Sequence, residues 1–117
     1  MGLKPLEELA ADASRAIVEH GMASLELIEV TKGLKRLQSE RATRKTEAVL
    51  RLCAERPTFS MSRADSLAQL DPAYAEYKKA VALAEVAVLA STLNVEGALL
   101  AVELQIALVR ASGGAAS

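Results

Sequence analysis

Leu6, Leu9, Ala13, Ala16 and Ile17 recur at three- and four-residue steps, the mark of a helix with one buried face. Pro5 suits its first turn, and Glu7, Glu8 and Asp12 lie where the helix dipole favours acids. His20-Gly21 reads as its end, with glycine supplying the left-handed cap. A second helical pattern runs from about Met22 to Arg56, with Leu27, Val30, Leu34 and Leu37 as its seam. Gly33 within it costs about 1 kcal/mol relative to alanine, so a kink there is open. Continuing the seam lands on Arg41, Arg44 and Ala48. The helix therefore either leaves its partner near Gln38 or presents two arginines to something negative. Such a local conflict is where function tends to lie.

Pro57 ends this basic helix and opens a connector over residues 57–62. Ser62 is placed to cap a short helix reaching Leu70, with Asp65 three residues on as in a capping box. Asp71-Pro72 then reads as the N-cap and first-turn proline of a last helix spanning about 71–111. Between Ala80 and Val109 its only charged residues are Glu85, Glu96 and Glu103. Lys78, Glu85, Thr92, Glu96, Glu103 and Arg110 form one narrow polar stripe, and the rest of the cylinder is apolar. A helix apolar nearly all round has to be covered on most sides. The second helix can supply one neighbour, and further copies of the chain can supply the others. The expected protein is all-α, with two long helices plus short ones. It forms a helical bundle or ring by homo-oligomerisation through the C-terminal helix, with Leu83, Val86, Leu89, Leu93, Leu100, Leu104 and Leu108 as the oligomerisation residues. At 117 residues the chain is one domain over 1–111, followed by a small-residue tail, 112–117, expected to be flexible.

Charge adds what periodicity does not show. The net charge of −1 conceals a segregation: residues 1–31 sum to −4, residues 32–56 to +5 and the remainder to −2. The basic excess points to an anionic partner, while a solvated helix laced with ion pairs accounts for it equally simply.

Catalytic and metal chemistry find little support. His20 is the sole histidine, and the position three before it is Ile17 rather than the glutamate of a di-iron motif. Cys53 is alone, so no internal disulfide can form and a reducing, cytoplasmic setting is the default. No phosphate loop or nucleophile motif is present, and no enzyme activity, cofactor or metal is expected. The longest uncharged run, Val86–Val95, is short of a membrane span, and no signal peptide is visible.

A basic helix ending in Arg51-Leu52, a connector leading to Phe59-Ser60-Met61-Ser62-Arg63, a short helix and a long one opening at Asp71 follow in order. Over roughly Arg44–Ala111 this layout, with its short FSMxR run, resembles the UvsY-type recombination mediators of tailed phages. The resemblance implies a small all-helical protein that assembles into rings through its C-terminal helix, binds single-stranded DNA, and helps load a recombinase onto strands covered by single-strand binding protein. The family's basic stretch before FSMxR looks like Lys-x-Arg. This chain has Val49 in place of the lysine and keeps Arg51. The expectation is thus a non-enzymatic, sequence-independent single-stranded DNA binder, with Arg41, Arg44, Lys45, Arg51, Arg56 and Arg63 facing nucleic acid. Phe59 is the one aromatic placed beside them to stack on a base. The rival expectation is a homo-oligomeric helical scaffold or adaptor that binds another protein and no nucleic acid.

Overall fold

The computed structural model describes residues 4–116. It is all-α, with no strand among the described residues. The elements are α1 (Leu6–Ser39), α2 (Arg41–Glu55), α3 (Met61–Leu67), a 3₁₀ turn over Ala68–Leu70 and α4 (Pro72–Ala116). Two compact units emerge: one joins residues 1–30 with 88–117, and the other is the continuous segment 31–87.

Two expected boundaries move. The first helix does not end at His20-Gly21 but runs on to Ser39. Gly21 keeps a negative φ, and the Ser24 hydroxyl donates to the His20 carbonyl at 2.9 Å across the same turn. A helix-compatible glycine costs about 1 kcal/mol, and the packing of Leu9 and Ala16 before it and of half-buried Ala23, Leu27 and Val30 after it outweighs that. The break falls instead at Glu40. There the Leu37 carbonyl accepts from the Tyr77 hydroxyl and from the Glu40 N–H at 3.1 Å, while the Ser39 hydroxyl donates to the Arg36 carbonyl at 2.6 Å. These three bonds tighten the last turn of α1 and satisfy carbonyls that would otherwise serve a continuing helix. Gly33 does not interrupt α1, and nothing lies within 4 Å of where its Cβ would stand. Gly33→Ala is therefore expected to raise stability by about 0.5–1 kcal/mol, read as a higher urea midpoint with an unchanged slope.

In the continuous unit, Ala48, Val49, Ala64, Ala68, Tyr74, Tyr77 and Val81 form the core, and Leu34, Leu37, Leu52 and Cys53 pack against it. Three of these are alanines with no exposed surface, so α2, α3 and the 3₁₀ turn approach closely, and the Tyr74 and Tyr77 rings of α4 complete the core. Ser60, rather than Ser62, caps α3: its hydroxyl accepts from the Arg63 N–H at 3.1 Å. Asp71 caps α4 as expected, accepting from the Tyr74 N–H at 3.0 Å.

In the other unit, α1 and α4 lie side by side. The less exposed positions of α1 are Leu9, Ala13, Ala16, His20, Ala23, Leu27 and Val30; those of α4 are Val88, Ser91, Val95, Ala98, Val102 and Gln105. Both sets step by three and four, the spacing of a two-helix seam with knobs seated in holes. On α4 valines and small residues fill it, and most of the leucines of that helix stand outside. Leu83, Val86, Leu89, Leu93, Leu100 and Leu104 are all exposed, and Leu108 is half-buried. The helix does not stop at Ala111 but continues to Ala116, since Gly113 adopts helical rather than left-handed φ; Ser117 lies outside the described residues.

Within Pro72–Gly113, α4 holds an 18-residue window with a mean hydropathy of 1.5, so it is long and apolar enough to cross a membrane by length and composition alone. Its scattered glutamates shorten the uncharged runs without removing that property.

Candidate nucleic-acid interface

The six expected DNA-facing residues all lie in the continuous unit, and the fold sorts them into two groups. Ala48 and Val49 are the buried face of α2, and Arg44 and Arg51, seven residues apart, share one flank of it. The first turns of α4 run along that flank. Arg51 meets Asp71 there in a two-pronged ion pair, Nε to Oδ1 at 3.2 Å and Nη2 to Oδ2 at 2.7 Å. Asp71 therefore serves α4 twice, as its N-cap and as the anchor for α2. Its carboxyl is held below the ordinary carboxylate range, first by the hydrogen bond from Arg51 and then by the backbone N–H of Tyr74; partial desolvation opposes them. The same contact raises the pKa of Arg51. Two of its five N–H groups are committed to Asp71, which leaves donors for another anion.

Arg44 sits 3.8 Å from Glu40 one turn back, and its guanidinium lies 5.9 Å from the centre of the Tyr77 ring. Lys45 pairs with Asp65 of α3 at 3.4 Å. Arg41 is exposed and lines a shallow cleft of about 320 Å³ with Tyr74, Tyr77, Lys78, Val81 and Glu85. Lys78 reaches Gln69 at 2.6 Å and stands 5.9 Å over the Tyr74 ring.

The second group is the corner between α2 and α3. Arg56 closes α2, its N–H donating to the Leu52 carbonyl at 2.8 Å, and the Phe59 N–H donates to the Arg56 carbonyl at 2.9 Å. The turn carries Phe59 back between two cations. The Arg63 guanidinium lies 4.1 Å from the ring centre and that of Arg56 5.8 Å. Arg56 and Arg63 are exposed, and Phe59 is half-buried. One aromatic with two planar cations against it presents both stacking surface and phosphate donors at a single corner.

No family model, curated protein or solved structure matches this chain.

The sequence shows the six cations but neither the break at Glu40 that puts four of them on α2 nor their distant partners. Asp65 and Asp71 are twenty residues from Lys45 and Arg51, and Tyr77 is further still from Arg44, so no local spacing signals these contacts. Asp71 was legible as a cap and not as an ion-pair partner. Among the described residues no group of three or more His, Cys, Asp or Glu side chains is arranged to hold a metal ion. The Cys53 thiol is half-buried, with its sulfur 3.6 Å from that of Met61.

Proposed function

We propose that this chain is a non-enzymatic, sequence-independent single-stranded DNA-binding protein that works as a homo-oligomeric recombination mediator. The observation that carries the reading is the corner where Arg56 and Arg63 bracket Phe59. Proteins that hold single strands without reading sequence combine stacking platforms with cations that track the backbone. This corner supplies one aromatic and two cations per protomer, and Phe59 and Arg63 belong to the FSMxR segment on which the resemblance to UvsY-type mediators rests. Repetition in an oligomer would multiply a modest patch, because phosphate neutralisation adds over contacts. A recombinase and a single-strand binding protein are the partners this reading brings with it. The exposed leucines of α4 support assembly.

One observation favours the scaffold reading. Arg44, Lys45 and Arg51 already have acidic partners within the protomer, which is how a basic helix solvates itself without a ligand.

Fluorescence anisotropy of a labelled single strand, at two salt concentrations and against a duplex control, separates the two. The mediator reading predicts preference for the single strand and affinity that falls with salt by about 0.7 in log–log slope for each phosphate neutralised. Arg56→Ala with Arg63→Ala should flatten that slope by about 1.4 and weaken all sequences alike. Phe59→Ala should weaken binding about 5- to 150-fold if a base stacks there. Arg51 is the wrong position for this test, because its removal also frees Asp71. No binding at low salt, or binding untouched by the double variant, would reject the reading and leave the scaffold.

A further inference from the structure

The unit built from residues 4–30 and 88–116 has two apolar backs, not one. On α1, Ile17, Val18, Met22, Leu25 and Ile28 are exposed by 50–65%. On α4, Leu89, Leu93, Leu100 and Leu104 are exposed by 58–65%. Val18 and Leu25 each follow a seam residue, Ala16 and Ala23, by two positions, which turns them about 200° away from it. Leu93 and Leu100 stand in the same relation to Ser91 and Ala98. On α4 the stripe therefore lies opposite the seam, and on α1 Val18, Met22 and Leu25 do so with Ile17 and Ile28 flanking them. Since the helices face each other through their seams, the stripes look outward in opposite directions.

Each stripe also contains a glycine that this unit does not need. Gly21 follows Val18 by three residues, and Gly97 precedes Leu100 by three. Neither has a positive φ, and nothing stands within 4 Å of where its Cβ would be. A glycine inside a helix costs about 1 kcal/mol relative to alanine, and one without a Cβ on an exposed face leaves room for another backbone to approach. Among the described residues no heavy atom fills that room at either position.

We infer that a second copy of this chain covers each back, with the α1 stripe of one copy seated on the α4 stripe of the next. The inference rests on the homo-oligomeric reading above and specifies how it is built. Four or five side chains at about 100 Å² each give about 400–500 Å² of apolar surface per side. That is the apolar share of the roughly 800 Å² per partner in a standard stable interface. Pairing α4 with α4 about a two-fold axis would leave every α1 stripe in water. A front-to-back contact covers both stripes and passes from copy to copy, closing into a ring if the rotation per step allows it.

Sedimentation velocity on the full chain and two variants tests the inference. Leu25→Glu spoils only the α1 back and Leu93→Glu only the α4 back. The wild type should sediment as an oligomer and each variant as a helical monomer. An equimolar mixture of the variants should give a one-to-one dimer, because the intact α1 back of Leu93→Glu meets the intact α4 back of Leu25→Glu. If either variant loses helicity by circular dichroism, Ile28→Glu and Leu100→Glu replace them. Wild-type size in the Leu25→Glu variant, dimers of each variant alone, or a mixture that stays monomeric would overturn the front-to-back contact while leaving homo-oligomerisation standing. A monomeric wild type would overturn both. Flotation of the wild type with phosphatidylcholine vesicles, abolished by Leu93→Glu, would overturn it in favour of a lipid surface.

Discussion

Tyr77→Ala is expected to cost about 3–5 kcal/mol of stability, the range for removing a large aromatic side chain from a packed core. Tyr77 is 6% exposed, and its ring stacks on Tyr74 with centres 6.0 Å apart and planes 13° from parallel. The ring carries the Arg44 guanidinium, and its hydroxyl donates to the Leu37 carbonyl at the end of α1. One side chain thus joins α4 to the last turn of α1 and the first turn of α2. The alanine cores of neighbouring layers cannot slide in to fill the space, because Ala48, Ala64 and Ala68 already bring their backbones close. Urea unfolding followed by circular dichroism measures the loss. Tyr77→Phe isolates the hydroxyl and should cost only about 1 kcal/mol. A change below 1 kcal/mol for Tyr77→Ala would mean that this tyrosine does not hold the unit together.

Asp71→Ala should produce the second-largest loss, about 1–2 kcal/mol for the cap alone, with a further contribution from the orphaned Arg51. The effect depends on pH in a definite direction. The folded carboxyl titrates below its ordinary value of 3.8, so its stabilisation is full above that value and is lost as pH falls through the depressed folded one. Wild-type stability should therefore fall below about pH 4, and the Asp71→Ala variant should lack that part of the decline. Asp71→Asn separates the two duties, since asparagine caps a helix nearly as well and carries no charge for Arg51. Denaturant midpoints at pH 7 and pH 3 for the three proteins measure both. An Asp71→Ala midpoint equal to the wild type at pH 7 would show that α4 needs no cap.

The features legible in the sequence are those encoded within a few residues. Asp71-Pro72 announces α4 because capping chemistry is local, and Leu27, Val30, Leu34 and Leu37 recur at one helix face whatever covers them. Helix ends were harder. His20-Gly21 looks like a terminus, yet glycine ends a helix only when the backbone adopts positive φ, and here it does not. The true break at Glu40 is fixed by Tyr77, some forty residues downstream, which no window of neighbouring residues contains. On α4 the difficulty is of another kind. When almost every position is apolar, periodicity does not label which face meets the protomer's own helix. The leucines are the larger and more conspicuous residues, but Val88, Ser91, Val95, Ala98 and Val102 are the less exposed ones. The candidate interface shows the same limit. Six cations are visible in the sequence, while the distant partners of three of them, Asp65 for Lys45, Asp71 for Arg51 and Tyr77 for Arg44, lie twenty or more residues away.

The division of the chain into a continuous unit, 31–87, and one made from 4–30 with 88–116 sets an order of events during synthesis. The continuous unit can fold as soon as it leaves the ribosome, through contacts of modest sequence separation. The other cannot, because half of it has yet to be translated. Until α4 emerges, the first thirty residues wait with the seam and the back of α1 both in water, and closing the pair spans a loop of nearly sixty residues, a cost that grows only slowly with length. Ribosome-associated chaperones would meet α1 as an amphipathic helix without its partner, and maturation of this unit would be set by the emergence of α4.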